Sequence, residues 1–229
     1  MYIASYMKTS PVTVRLETTI AEAKALLASK HFRHLPVVDD HGHLLGMVTD
    51  RDLRSASPSS VVAGKTRQDE LSQVNHSPIC EIMSWDVVYL TPTATLDDAL
   101  ILLDRQKVGA LPVIDETRRV VGIFSIRDLI GAYALLFGLG ERGSALVSVK
   151  ADGKPRPLTR IVQVLEGLDI HFSRVVRKGS ALPGASDETI TIRVNTMNLR
   201  AVHHALAEAG FTIDPMLPSL PLASDPPHA

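Results

Sequence analysis

The sequence predicts a mixed protein of the α+β/α/β kind, in which two tandem copies of one strand–helix–strand–strand–helix unit close on each other as a pseudo-twofold pair and a smaller βαββαβ domain follows. Three observations carry this. Sliding the 229-residue chain over itself by 76 positions aligns 7–56 with 83–132 without a gap, and 15 of those 50 positions are identical, among them Pro36/Pro112, Asp39/Asp115, Gly46/Gly122, Arg51/Arg127 and Asp52/Asp128. Within each copy, helical spacing gives way to short apolar runs in the same order. After Leu139 the repeat stops and a different alternation of strand and helix patterns begins.

The elements follow in order. Ile20, Ala23, Leu26 and Leu27 recur at helical spacing, as do Leu96, Ala99, Leu102 and Leu103, and a Thr-x-x-acid capping box opens each run at Thr19/Glu22 and Thr95/Asp98. LPVV or LPVI, a polar turn (DDHGH or DETRR) and LLGMV or VVGIF then read as a hairpin. A second helix begins at Thr49 or Ser125. One copy has a single apolar sheet face and too small a core to stand alone, so two such faces are expected to pack together. The linker 57–77 is rich in Ser, Gln and charge, with Pro58 and Pro78 near its ends, and a short helix is expected around Asp69–Val74. Beyond it come strand 145–150, helix 158–168, strand 170–178, the loop GSALPGASDE, strand 189–194, helix 199–209 and strand 211–213. That order is ferredoxin-like. The expected domains are therefore 1–56, the linker 57–77, 78–139 and 143–214, with a disordered Pro-rich tail at 215–229.

Composition removes several function classes. A chain with 45% hydrophobic and 21% charged residues can bury an ordinary core, and a net charge of −1 without a basic patch offers no attraction to nucleic acid or an anionic membrane. Cys80 is alone, which leaves no disulfide framework or thiol pair and fits a cytoplasmic protein. MYIASYMKTSP lacks the features of a signal peptide, and LIGAYALLFGLG at 129–140 is too short to span a bilayer and reads as a buried or partner-facing helix. Gly138–Gly143 matches G-x-G-x-x-G but follows a helix and precedes a strand, and Ala63-Gly64-Lys65-Thr66 lacks the first glycine of a P-loop. His41/His43 and His203/His204 have no further ligand at metal spacing, and no acid/base pair accompanies a cofactor motif. No catalytic or metal-binding residue is assigned.

The doubled Thr49-Asp50-Arg51-Asp52 and Ser125-Ile126-Arg127-Asp128 admit two readings. Seen once, each is an N-terminal capping box. Seen twice at a predicted shared cleft, a helix N-terminus and hydroxyl suit a phosphate, and a carboxylate accepts from the vicinal diol of a ribose. Arg51 and Arg127 flank these helix starts. Arg33-His34 form a second basic pair before Leu35-Pro36, matched in the other copy by Gly109-Ala110, so one of two related clefts would be cationic. Gly46 and Gly122 weaken a strand unless a bulge or close backbone approach requires them, and a nucleotide base would be one such approach.

These apolar-Gly-apolar-apolar-(T/S)-x-x-D helices, each preceded by an x-L-P-V strand, resemble the cystathionine-beta-synthase (CBS) domain, and the tandem over 1–139 resembles a Bateman module. The resemblance implies no obligatory cofactor but a regulatory adenosine ligand such as AMP, ADP, ATP or S-adenosylmethionine. It implies that Asp52 and Asp128 hold ribose hydroxyls and that Thr49 and Ser125 contact ribose or phosphate. Each cleft would combine the helix start of one copy with the strand of the other: Ser125, Arg127 and Asp128 with Arg33, His34 and Pro36, and Thr49, Arg51 and Asp52 with Gly109, Ala110 and Pro112. The third segment resembles an ACT domain, a ferredoxin-like regulatory module, yet carries Arg156 where amino-acid-binding members have a permissive glycine, so it implies dimerisation rather than amino-acid binding. The module order is similar to that of bacterial acetoin-utilisation regulatory proteins. Together these imply a non-catalytic, homodimeric cytoplasmic sensor that signals ligand occupancy to an unidentified regulated protein. An accessory subunit or enzyme of acetoin metabolism, and a ligand-free scaffold whose ACT-like domain senses an amino acid, are the alternatives.

Overall fold

The computed structural model describes residues 1–57, 65–178 and 189–214, so the first part of the linker, the loop GSALPGASDE and the Pro-rich tail lie outside the described residues. The chain divides into two compact units, 1–133 and 134–229.

The first unit contains β1 (Lys8–Thr9), α1 (Ile20–Lys30), β2 (His34–Val38), β3 (Leu44–Thr49), α2 (Asp50–Ser55), α3 (Lys65–His76), β4 (Ser84–Trp85), α4 (Leu96–Gln106), β5 (Ala110–Ile114), β6 (Val120–Ser125) and the start of α5 (Ile126–Leu136). Both predicted capping boxes form: the Thr19 N–H donates to Glu22 Oε2 at 2.8 Å and the Glu22 N–H to Thr19 Oγ1 at 3.2 Å, with Thr95 and Asp98 repeating the pattern. α1 buries Ile20, Ala23 and Leu27, α4 buries Leu96, Ala99 and Leu103, and each ends on a left-handed residue, His31 or Lys107. The hairpins keep one register: His34 pairs with Thr49 and Val37 with Gly46 in the first, Ala110 with Ser125 and Val113 with Gly122 in the second.

The first strand expected in each copy is reduced to a bridge within its own repeat, Val14 to Val37 and Leu90 to Val113, while two further strands pair across: β1 with β6 and β4 with β3, so each repeat completes the sheet of the other. The reason is local. These strands are only two residues long, whereas the turns before them carry apolar side chains that fill the opposite core. Ile3 packs with Leu96, Leu111 and Phe124, and Ile79 and Met83 pack with Ile20, Leu35 and Val48. Burying such a side chain is worth about 1.5–3 kcal/mol. The exchange obeys the 76-residue symmetry bond by bond. Ile3 N–H donates to Ala94 O and Ile79 N–H to Thr18 O, both at 2.8 Å, while at the hairpin tips Leu44 N–H donates to Arg118 O at 3.1 Å and Val120 N–H to Gly42 O at 3.0 Å.

The linker helix starts earlier than expected, at Lys65. Val74 packs on the first core, and the Lys24 ammonium on α1 donates to Asn75 Oδ1 at 3.2 Å and to Ser57 Oγ at 2.8 Å, which ties both ends of the linker to α1.

The second unit holds β7 (Ser144–Lys150), α6 (Pro157–Gly167), β8 (Phe172–Lys178), β9 (Thr189–Asn195), α7 (Leu199–Glu208) and β10 (Thr212–Ile213), with an antiparallel sheet ordered β10-β7-β9-β8. Val147, Val149, Ile190, Ile192 and Val194 pack against Ile161, Leu165, Val202 and Leu206 of the helices. β8 begins two residues later than expected because Ile170 N–H is spent on Leu165 O at 2.9 Å, closing α6. Arg156 takes the left-handed conformation, φ 56, without being glycine, at a cost of about 1–2 kcal/mol, and Pro157 then starts α6. Leu135 and Leu139, expected to be core or partner-facing, are 67% and 62% exposed. The last two carbonyls of α5 and the one after it are held within this unit: Arg174 donates to Leu135 O at 2.8 Å and to Leu136 O, and Arg193 donates to Phe137 O at 2.8 Å. Among the described residues no helix is long and apolar enough to cross a membrane.

Candidate functional site

Thr49 and Ser125 are each the last residue of a strand and the cap of a helix, a position fixed by the hairpin register. At both, the capping box is closed. Thr49 donates through its N–H (2.8 Å) and its hydroxyl (2.7 Å) to Asp52 Oδ2, and Ser125 does so to Asp128 Oδ2 at 2.8 and 2.6 Å. The returning N–H of Asp52 or Asp128 reaches the hydroxyl oxygen at 3.3 Å. The hydroxyl protons expected to serve a phosphate are therefore already spent on their own helices. Among the described residues, the second oxygen of each carboxylate, Oδ1, accepts no hydrogen bond.

Around these helix starts stand Arg51 and Arg127, both exposed, and Arg33 at the entry to β2, also exposed. Their guanidinium groups form no hydrogen bond or ion pair among the described residues. Pro36, Pro112 and Ala110 are buried in their strands. The proline carbonyls are also engaged, with Val14 N–H donating to Pro36 O at 3.0 Å and Leu90 N–H to Pro112 O at 2.9 Å. Segments 12–14 and 88–90 thus run beside the L-P strands. They are the first strand expected in each copy, reduced to one isolated bridge, Val14 to Val37 and Leu90 to Val113.

His34 touches residues of both helix starts. In sequence it goes with Arg33 and Pro36, and the resemblance joins it to Ser125, Arg127 and Asp128. In space it lies opposite Thr49 in the hairpin register, and its ring covers Gly109: a Cβ built on Gly109 would stand 3.0 Å from His34 Cε1 and Nε2. Burial pushes its basicity below the ordinary imidazole value, the Arg33 charge pushes the same way, and the Asp52 carboxylate opposes them. His34 thus lies with Thr49 by backbone register, while its ring reaches Gly109, whose carbonyl accepts from Ile126 N–H at 3.0 Å beside Ser125.

The strand glycines are explained by the exchange rather than by a base. A Cβ on Gly46 would meet the Ser84 carbonyl oxygen of β4 at 2.5 Å, and one on Gly122 would meet Met7 Sδ at 2.6 Å and Lys8 O at 3.2 Å. The close backbone approach predicted for these positions is real, and the approaching chain is the exchanged strand.

The CBS domain family matches residues 3–59 and 79–135. A CBS domain-containing protein of Dictyostelium discoideum is 32% identical over 128 residues, which span 56% of this chain and 88% of that protein. An acetoin utilization protein (AcuB) of Vibrio cholerae superposes with a TM-score of 0.51 at 30% identity, covering 61% of this chain and 94% of that one. CBSX2 of Arabidopsis thaliana, solved in complex with AMP, gives a TM-score of 0.51 at 25% identity over 59% of this chain and 98% of that one. The L-aspartate semialdehyde sulfurtransferase of Methanocaldococcus jannaschii is 32% identical over 119 residues, but the match spans only 20% of that enzyme. With both repeats matched and nearly the whole length of one relative covered, the chain belongs to the CBS domain-containing proteins.

Proposed function

We propose that the protein is a non-catalytic regulatory sensor whose CBS pair binds an adenosine nucleotide and whose second unit, read as an ACT-like domain, holds two copies together. The observation that carries this reading is the AMP complex of CBSX2, whose fold the first unit shares. In this chain each repeat supplies a helix N-terminus, an unpaired arginine and a carboxylate oxygen still open to a ribose hydroxyl. Arg51 and Asp52 serve one site, and Arg127 and Asp128 the other, with Arg33 adding charge. AMP, ADP, ATP and S-adenosylmethionine are the candidate ligands, acetoin or energy metabolism the candidate context, and the cytoplasm the proposed compartment. The proposed limits are 1–56 and 78–139 for the CBS domains, 143–214 for the ACT-like domain and 215–229 for a tail. The exposed Leu135 and Leu139 support pairing of two copies.

A second reading, a scaffold with empty clefts, is favoured by one specific observation: both carboxylates are turned onto their own helix starts. Thermal shift separates the two. Ligand at a hundred times its dissociation constant adds about 2.7 kcal/mol of stability. Replacing Asp128 by Ala removes charged hydrogen bonds worth about 1.5–3 kcal/mol, which is roughly 10- to 150-fold in affinity. No shift with any of the four ligands establishes the scaffold, and an undiminished shift in both Asp52→Ala and Asp128→Ala places the site elsewhere.

A further inference from the structure

We infer that the face of the second unit's sheet turned away from its helices is a binding site for a small amphipathic carboxylate, with Arg193 taking the charge and Leu146, Val176 and Phe137 the apolar body. This goes beyond the nucleotide reading of the first unit and does not rest on it.

Side chains alternate between the two faces along a strand. Val147 and Val149 of β7 and Ile190, Ile192 and Val194 of β9 go to the helices, which leaves Leu146 and Ser148, Thr191 and Arg193 on the opposite face. β8 adds Arg174, paired with Arg193, and Val176, paired with Thr191. A cavity of about 570 Å³ opens on this face, inside the range of about 300–1,000 Å³ usual for small-molecule sites. Leu146, Val176, Phe137 and Leu139 line it with apolar surface left exposed, and Arg174 and Arg193 line it with charge.

Those charges do not balance. Arg174 and Arg193 stand directly opposite each other on neighbouring strands, where like charges repel. Glu141 answers one of them. It pairs with Arg174, whose guanidinium is the first cause holding the Glu141 carboxyl below its ordinary range, while Arg193 is the smallest of those causes. Arg193 is only 8% exposed. It donates through Nε to Phe137 O at 2.8 Å and through Nη1 to Ser144 Oγ at 3.0 Å; among the described residues its Nη2 donates to nothing and no carboxylate forms an ion pair with it. A charge withdrawn from water is costly unless an opposite charge meets it. One carboxylate supplies that charge, and the carbon body behind it covers Leu146, the strand partner of Arg193. Inorganic phosphate would leave the apolar lining bare.

Titration calorimetry of the full chain with octanoate, against octanol as the uncharged probe of the same length, tests this. Octanoate is expected to bind at one per chain, and octanol about 10- to 150-fold more weakly, the difference a charged hydrogen bond makes. Val176→Glu changes an exposed position diagonal to Arg193 and gives the site a carboxylate of the chain's own, so octanoate binding should be abolished; Val176→Gln, of the same size without the charge, should retain it in part. Arg193→Gln should reduce octanoate to the level of octanol, and Arg193→Lys should restore most of the difference. Circular dichroism shows which variants fold, and the Val176 pair decides if those at Arg193 do not. No octanoate binding by the wild type, octanol binding as tightly as octanoate, or undiminished binding in folded Val176→Glu would each overturn the site. Leu139, which supports pairing of two copies, lines the same cavity, so sedimentation velocity accompanies the titrations. A self-associated wild type that takes no octanoate and becomes monomeric in Val176→Glu would assign the face to a second copy and overturn the inference. None of these results bears on nucleotide binding by the first unit, which is read separately with AMP.

Discussion

Gly46→Ala is the substitution through which the strand exchange can be measured. The added Cβ would lie 2.5 Å from the Ser84 carbonyl oxygen and 3.1 Å from Met83 Cε, where ordinary contacts begin at 3.4 Å, so β4 has to retreat by about 0.9 Å. β4 is held to β3 by only two residue pairs, Gly46 with Trp85 and Met47 with Ser84, so it has little to resist with. Overpacking of this kind costs about 1–3 kcal/mol, and the two-residue ladder at stake is worth about 0.5–1.5 kcal/mol per bond. We take about 2 kcal/mol, which lowers the melting midpoint of a unit this size by roughly 6–12 °C. Gly122→Ala should cost less, because its nearest neighbour is the flexible Met7 thioether rather than a backbone oxygen. Gly131→Ala is the internal control: it lies on an exposed turn of α5 with nothing within 4 Å of its added Cβ, and should stabilise by about 0.5–1 kcal/mol. Thermal unfolding followed by circular dichroism gives the midpoints, and the fluorescence of Trp85, the single tryptophan of the chain, reports on β4 itself. A Gly46→Ala chain with the wild-type midpoint and unchanged Trp85 emission, or one no worse than Gly131→Ala, would refute the exchange as the reason for the glycine.

Two pH dependences follow from named groups. In the second unit the Arg160 guanidinium, donating to both oxygens of Asp152 at 2.9 Å, holds that carboxyl at about 2, below its ordinary 3.8. A depressed folded value means the contribution is complete above 3.8 and is lost as pH falls toward 2, so acid unfolding of this unit should be delayed in Asp152→Asn relative to its own neutral-pH stability. In the first unit, half-buried His34 is harder to protonate than in the unfolded chain, so stability should be full above the ordinary value of 6.5 and fall as pH drops below it. Urea midpoints between pH 5 and 8 measure that slope, and His34→Ala should flatten it; an unchanged slope would place the titration on another histidine.

What the sequence by itself determined was whatever depends on neighbours along the chain. The capping boxes at Thr19, Thr49, Thr95 and Ser125, the hairpins with their Asp-led turns and the βαββαβ order of 144–213 all arise from residues within a few positions of one another, so periodicity and spacing exposed them. The same locality explains why the Asp52 and Asp128 carboxylates were equally legible as caps and as ribose ligands, and why the structure shows them capping. Tertiary structure decided the rest. That Ile3 belongs in the second core and Ile79 in the first, that β4 rather than a base demands glycine at 46, and that His34 rests on Gly109 are contacts between residues far apart in the chain: Ile3 is 93 positions from Leu96, Ile79 is 59 from Ile20, Gly46 is 38 from Ser84 and His34 is 75 from Gly109. Two related half-cores give the short strands β1 and β4 no local reason to choose one repeat over the other. Only the packed pair, in which Ile3 fills the second core and Ile79 and Met83 the first, decides the arrangement.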